Sequence, residues 1–227
     1  AVLISLTVGV LFGAVNGVII TKMKMPPFIV TLATMNIMRG ISYTITGGKP
    51  VSVKADKLFE GIGTSFVWRI PIAAIYVVIA FVILWMLLNR TRFGRHIYAV
   101  GSNLNAAIYS GIDTNRTTFF AYVLTGVLSA FGGIILVSRL NSGQPTIGEG
   151  AELDAIAACI VGGMSLSGGS GTLTGTMVGA VLMGVISNIL NLVGVNSFVQ
   201  LIVKGIIIIF SVYLHNVRSF TKRDKKS

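Results

Sequence analysis

Charge is the scarcest thing in this chain. Only 11% of its 227 residues are Asp, Glu, Lys or Arg, against about a quarter in soluble domains. With 53% hydrophobic residues, such a chain cannot cover a globular surface with polar groups. A soluble fold is excluded in favour of an integral membrane protein. Cysteine is almost absent: Cys159 stands alone, which excludes an intramolecular disulfide and a cysteine-based metal site. The two histidines, His96 and His215, lie near basic segment ends with no H-E-x-x-H or G-x-S-x-G nearby. No G-x-x-x-x-G-K-[ST] occurs; GGSGTLTG at 168–175 has the glycines without the lysine or a preceding strand. No catalytic residue, metal site or cofactor of the chain's own is expected. A net charge of +11 would suggest nucleic acid in a soluble protein. Here the basic residues cluster at segment ends, as in membrane proteins, and no nucleic-acid partner is expected.

What is abundant is long apolar runs. About 20 such residues cross the hydrocarbon as a helix. Seven segments are expected to span, near 1–21, 28–46, 71–89, 117–137, 154–167, 174–194 and 198–214, with a connecting loop over 90–116 and a tail over 215–227. All belong to one transmembrane domain over 1–227. The chain opens AVLISLTVGV, already apolar, with no initiating Met and no basic flank. It is therefore expected to start inside a span, as an N-terminally truncated piece of something longer, and not with a signal peptide.

Lys and Arg accumulate on the cytoplasmic side. If each segment crosses once, Lys22, Lys24, Arg90, Arg92, Arg95, Arg116, Arg218, Lys222, Arg223, Lys225 and Lys226 share one side. The other side receives Lys49, Lys54, Lys57, Arg69 and Arg139 with the acids Asp56, Glu60, Glu149, Glu152 and Asp154. Eleven basic residues against five put loop 90–116 and the C-terminus inside. Gly9, Gly13 and Gly17, and Gly175 with Gly179, form small-residue stripes that let helices approach closely where lipid supplies no hydrophobic drive. The expected fold is all-α: a polytopic, glycine-rich transmembrane bundle with a broken helix and a short cytoplasmic coupling helix.

The break falls in ELDAIAACIVGGMSLSGGSGTLTG at 152–175. Asp154 suits the first turn of a helix, as a cap or by its charge. Gly162, Gly163, Gly168, Gly169 and Gly171 then interrupt the periodicity. Two readings stay open: a discontinuous helix lining a translocation path, or two helices joined by a flexible turn. Arg39 and Lys204 fall inside apolar segments and either face a cavity or snorkel to headgroups. Asn36, Asn188, Asn191 and Gln200 either hydrogen-bond between helices or line a polar route. Between 102 and 112 a two-to-three-turn helix is expected, capped by Ser102 or Asn103 and stopped at Gly111. Leu104, Ile108 and Ile112 make one apolar stripe; Ala106, Ala107 and Ser110 keep another face small. Small side chains suit seating in a cleft of another protein better than lying on lipid.

T-R-F-G-R-x-I-Y-A-V-G-x-N-x-x-A-A-x-x-S-G-I at 91–112 resembles the cytoplasmic loop of ribose-type permeases of ATP-binding-cassette (ABC) importers, within the branched-chain amino acid and sugar permease family. R-L-N-S-G-Q-P-T-I-G-E-G-A-E-L-D-A-I-A-A-C-I-V-G-G-M-S-L-S-G-G-S-G-T at 139–172 is similar to that family's most distinctive segment. The stretches 28–40 and 173–195 fit as well. The departures are Ser102 where the family often has Gly, Cys159 and Met164 where it often has Val and Thr, and Ser170 where ribose permeases often have Lys.

The resemblance implies a permease without ATPase activity, in the bacterial plasma (inner) membrane. It would pair with a second permease subunit, as a homodimer. A cytoplasmic ABC ATPase, using ATP and Mg, would dock on Gly94, Arg95, Gly101, Asn103, Ala106, Ala107, Ser110 and Gly111. An extracytoplasmic binding protein would deliver a small sugar, ribose or similar. Asn36, Arg39, Gln144, Thr146, Glu152, Asp154, Gly162, Gly163, Ser165 and Asn188 would border its path, in contact with membrane lipid around. The rival readings are a secondary transporter, which would need a coupling carboxylate or a sodium site within the spans, and a channel-like protein without a docking helix.

Overall fold

The computed structural model describes residues 2–53 and 57–224, without the side chains of 57, 58 and 214–224. Lys54, Asp56, Lys225 and Lys226, counted above in the charge asymmetry, lie outside the described residues. So do the side chains of Lys57, His215, Arg218, Lys222 and Arg223. The described residues are mainly helical, with four two-residue strands, and form two compact units.

The first unit comprises residues 1–100 and 104–147. It holds α1 (Val2–Lys22), α2 (Pro27–Thr46), α3 (Lys57–Thr64), α4 (Ile72–Arg90), most of α5 (Arg92–Ser102), α6 (Leu104–Tyr109) and α7 (Thr114–Leu140). Pro26 and Pro27 open α2, where a missing N–H costs nothing. The core of the unit is the seam between α1 and α7. A Cβ at Gly13 would lie 2.6 Å from the Tyr122 carbonyl oxygen and 2.9 Å from Val123 Cα, and one at Gly17 would lie 2.9 Å from Phe119 Cδ2. Gly126 returns the contact, packing against Gly9 and Gly13. The expected glycine stripe is thus a backbone-to-backbone seam.

At one end of α7, β1 (Val51–Ser52) pairs antiparallel with β4 (Ser142–Gly143). The hairpin of β2 (Phe66–Val67) and β3 (Ile70–Pro71) leads into α4. Ser138, fully buried, donates to the Phe59 carbonyl at 2.6 Å and so clamps α3 onto α7. At the other end, Asp113 caps α7: its carboxylate accepts from the Arg116 N–H at 3.0 Å and meets the Arg116 guanidinium at 3.1 Å. Asp113→Ala is expected to lower stability by about 1 kcal/mol, read as a lower melting temperature in detergent with the fold retained.

The second unit comprises residues 101–103 and 148–227, with α8 (Ala151–Val161), α9 (Leu173–Leu192) and α10 (Ser197–Asp224). The segment expected over 154–167 is the eleven-residue α8. At 1.5 Å per residue it is roughly 16 Å long, about half a hydrocarbon core of about 30 Å. It stops early because Gly163 takes a left-handed conformation (φ 86°). The Met164 N–H then bonds the Cys159 carbonyl and the Gly163 N–H the Ile160 carbonyl, the pattern that ends helices at glycine. α9 packs on α8 with Gly175 against Gly162 and Gly179 against Ala158, again backbone to backbone. The apolar stretch Ser197–Tyr213 continues as helix to Asp224, through most of the expected tail. Among the described residues, α1, α2, α4, α7 and α9 are long and apolar enough to cross a membrane.

Candidate functional site

Three constellations carry polar or exposed groups worth a functional reading. The first is the connector between α4 and α7. Thr91 Oγ1 donates to the Leu87 carbonyl at 2.6 Å and accepts from the Gly94 N–H at 3.2 Å, closing one helix and opening the next. The reversal brings Gly94 onto the Leu88 carbonyl, where any Cβ would collide. Arg95 is exposed. The helix expected over 102–112 is the six-residue α6, preceded by α5, because α5 runs on through Ser102 before Asn103 breaks it.

Gly111 (φ 76°) ends α6. The Ile112 N–H bonds the Ala107 carbonyl and the Gly111 N–H the Ile108 carbonyl. Ala107 is only 3% exposed, turned inward where α6 meets α7. Ala106 and Ser110 remain exposed, with the Ser110 hydroxyl donating to the Ala106 carbonyl at 2.9 Å. The outward groups are Leu104 and Ile108 of the expected apolar stripe, half exposed, and Tyr109, 90% exposed, which sequence reasoning passed over. A signal existed: a glycine stop of this type brings the residue after the glycine toward the one four before it, here Ile112 toward Ala107. Gly101 is seated against Gly168 and Gly169 in the second unit.

The second constellation lies on α8. The N-cap of α8 is Gly150, without a side-chain cap. Asp154 instead binds Lys204 of α10, Nζ to Oδ2 at 2.7 Å. Lys204 therefore meets a carboxylate within its own unit, the resolution expected for a charge in an apolar helix. Asp154, Ala158, Met183 and Ser187 border a groove of about 310 Å³. Gly162 is consumed by the α8–α9 seam and Gly163 by the helix stop. Ser165 organises the following turn, its hydroxyl accepting from the Ser167 N–H at 3.2 Å. Glu152 is half-buried in the first turn of α8 and Asn188 is exposed on α9, one residue past Ser187. Gln200 donates to Asn191 Oδ1 at 2.8 Å, an interhelical bond between α10 and α9.

Of the remaining path candidates, Asn36 is exposed and Arg39 half-buried on α2. Gln144 and Thr146 lie exposed in the turn after β4, where the Gln144 carbonyl accepts from the Ile147 N–H. These four belong to the first unit and the other six to the second.

The third constellation was not anticipated. α1, α2 and α7 line a partly open cavity of about 520 Å³ whose polar lining is Ser5, Asn16, Thr31, Thr34, Thr125 and Ser129, set among Phe12, Met35, Met38 and Tyr122. The buried Thr34 hydroxyl donates to Asn16 Oδ1 at 2.8 Å. The sequence signal was there: Asn16 is the sole amide in the apolar α1. The lining is uncharged, rich in hydroxyls and backed by apolar walls. Such a surface can exchange hydrogen bonds with a neutral polar solute. Among the described residues no group of three or more His, Cys, Asp or Glu side chains is placed to hold a metal ion.

Among the described residues, five span-capable helices joined by glycine seams define a multi-pass helical membrane protein. More particularly, the chain belongs to the branched-chain amino acid transport system / permease component family, whose model matches residues 1–212. It is 51% identical over 205 residues to the ribose import permease protein RbsC of Bacillus subtilis, covering 90% of this chain and 64% of that protein. The Escherichia coli protein of the same name is 43% identical over 220 residues, 95% of this chain and 68% of its own. The galactose/methyl galactoside import permease protein MglC of Escherichia coli is 40% identical over 229 residues, 98% of this chain and 68% of its own. The chain thus spans about two thirds of the length of these curated relatives. No solved structure matches it.

Proposed function

We propose that this chain is the translocating part of an ABC importer for a monosaccharide, working as a pair of permease subunits in the bacterial inner membrane. The relatives named for ribose and galactose import support the cargo class. The observation that carries the reading is the connector 90–113. A six-residue helix with a bulky outward face stands between two span-capable helices, flanked by Arg90, Arg92, Arg95 and Arg116. That cluster belongs on the inner side, and the same orientation puts the C-terminus inside.

A separate cytoplasmic ATPase, supplying the ATP and Mg²⁺ chemistry, docks on α6 through Leu104, Ile108 and Tyr109. ATP-driven closure of the paired ATPases moves the connector and switches the bundle between outward and inward access. An extracytoplasmic binding protein delivers the sugar to the opposite face, near β1, α3 and β4. The path needs only weak hydroxyl contacts, because selection is made before the sugar arrives; the uncharged lining around Asn16 and Thr34 suits that.

Co-purification with the ATPase tests the reading. Ile108→Asp places a charge on the outward face of α6 without entering the core, so membrane insertion and melting temperature should match the parent. ATPase recovery and sugar uptake should both fall at least tenfold, the effect of losing a central apolar anchor worth about 2 kcal/mol. Undiminished ATPase recovery with normal uptake would remove α6 as the docking element.

A further inference from the structure

We infer that residues 101–103 drive the α8–α9 hairpin through a direct backbone contact with the glycine turn at 168–169, and that Gly101 and Gly169 are positioning residues for transport. The inference rests on the importer reading above and adds the route by which motion of the connector reaches the rest of the chain.

At Gly101, Gly168 and Gly169 the contact is main chain against main chain. A Cβ on Gly101 would lie 2.6 Å from the Gly169 nitrogen and 3.1 Å from its Cα. One on Gly169 would run into the Ser102 backbone and lie 2.7 Å from the Gly101 carbonyl carbon. One on Gly168 would lie 3.2 Å from the Gly101 oxygen. Two stretches of main chain touch at three glycines. A side-chain contact can absorb displacement by changing rotamer; a main-chain contact has no such slack, so a push on one is delivered to the other.

The receiving turn is built stiffly. Gly168 and Gly169 both take left-handed conformations (φ 84° and 71°). The Ser165 N–H bonds the Ser170 carbonyl at 3.1 Å, the Gly168 N–H bonds the Ser165 carbonyl at 3.1 Å, and the Ser167 N–H bonds the Ser165 hydroxyl. On one side the turn continues into the glycine stop of α8. On the other it meets Thr172, whose hydroxyl accepts from the Gly175 N–H at 3.1 Å and caps α9. α8 and α9 are then locked to each other through Ala158, Gly162, Gly175 and Gly179. The hairpin is one body, and at the end of α8 away from the turn sits Asp154, held by Lys204 beside the groove. A displacement applied at residue 102 becomes a displacement of Asp154.

The test uses the assembled transporter, with its ATPase and binding protein, in proteoliposomes, measuring sugar uptake and ATP hydrolysis together. Gly168→Ala and Gly169→Ala should leave hydrolysis within twofold of the parent while uptake falls about tenfold, a drop in sugar carried per ATP that mere loss of folded protein cannot produce. Gly205→Ala, at a helical glycine with open space around it, should keep the parental ratio. A parental ratio in both contact variants, or equal losses of uptake and hydrolysis, overturns the inference. A second measurement covers poor folding of those variants. In a Cys159→Ser background, Ser102→Cys and Ser170→Cys are joined by a short thiol cross-linker. Parts that move as one tolerate the link, so uptake should stay within twofold; abolished uptake overturns the inference. A parental chain that recruits no ATPase is a different result, and it overturns the importer reading itself.

Discussion

Gly13→Val should cost the first unit about 3 kcal/mol or more, at the top of the range for overpacked sites. The reason is the identity of the atoms it meets. The new Cβ would arrive 2.6 Å from the Tyr122 carbonyl oxygen and 2.9 Å from Val123 Cα. Both are main-chain atoms of α7, so no rotamer change can make room; α1 and α7 must separate. Separation opens the whole seam, since Gly9, Gly17 and Gly126 depend on the same spacing. Lipid tails solvate Leu as well as a neighbouring helix does, so close packing is the main force available to hold such helices together. A melting curve in detergent, followed by size-exclusion fluorescence, should show a large downward shift or loss of the monodisperse peak. Gly133→Ala, on α7 with nothing within reach of its Cβ, should melt with the parent. Parental melting of Gly13→Val would mean that the glycine seam does not hold these helices.

The second large effect is expected at the Asp154–Lys204 pair. Lys204→Met leaves the Asp154 carboxylate facing apolar neighbours without its cation. Removing one partner of a fully buried pair costs roughly 3–5 kcal/mol. Here the side chains are 20% and 42% exposed for Lys204 and Asp154, so about 2 kcal/mol is expected instead. The double variant Asp154→Asn with Lys204→Met removes both charges and should recover most of the loss, giving a coupling well outside additivity. Melting temperatures of the two single variants and the double variant supply the measurement. A double variant as unstable as the sum of the singles would show that the 2.7 Å contact contributes nothing.

Much of this was legible in the sequence, for definite reasons. Long apolar runs and sparse charge dictate a helical membrane protein, and the family motifs at 91–112 and 139–172 agree with the family match over 1–212. Gly9, Gly13, Gly17, Gly175 and Gly179 announced seams because only close approach requires such spacing. What the spacing could not say was which partner each stripe meets, since that depends on tertiary pairing: α7 for the first, α8 for the second. Lys204 left two readings open, and its partner lies fifty residues away, beyond any local pattern. Periodicity alone could not choose a face for α6, a six-residue helix with too few positions; its glycine stop carried the signal. The hydroxyl-lined cavity escaped because its residues come from three helices and form no motif.

The length of α7 has a further consequence. Its 27 residues make a rod of about 40 Å, longer than the roughly 30 Å oil slab it crosses, so it must lean or protrude. Leaning sweeps its two extremities in opposite directions. One extremity carries α6; the other carries the Ser138 clamp and the β4 pairing. To the extent that α7 leans, a change in acyl-chain length shifts both extremities together.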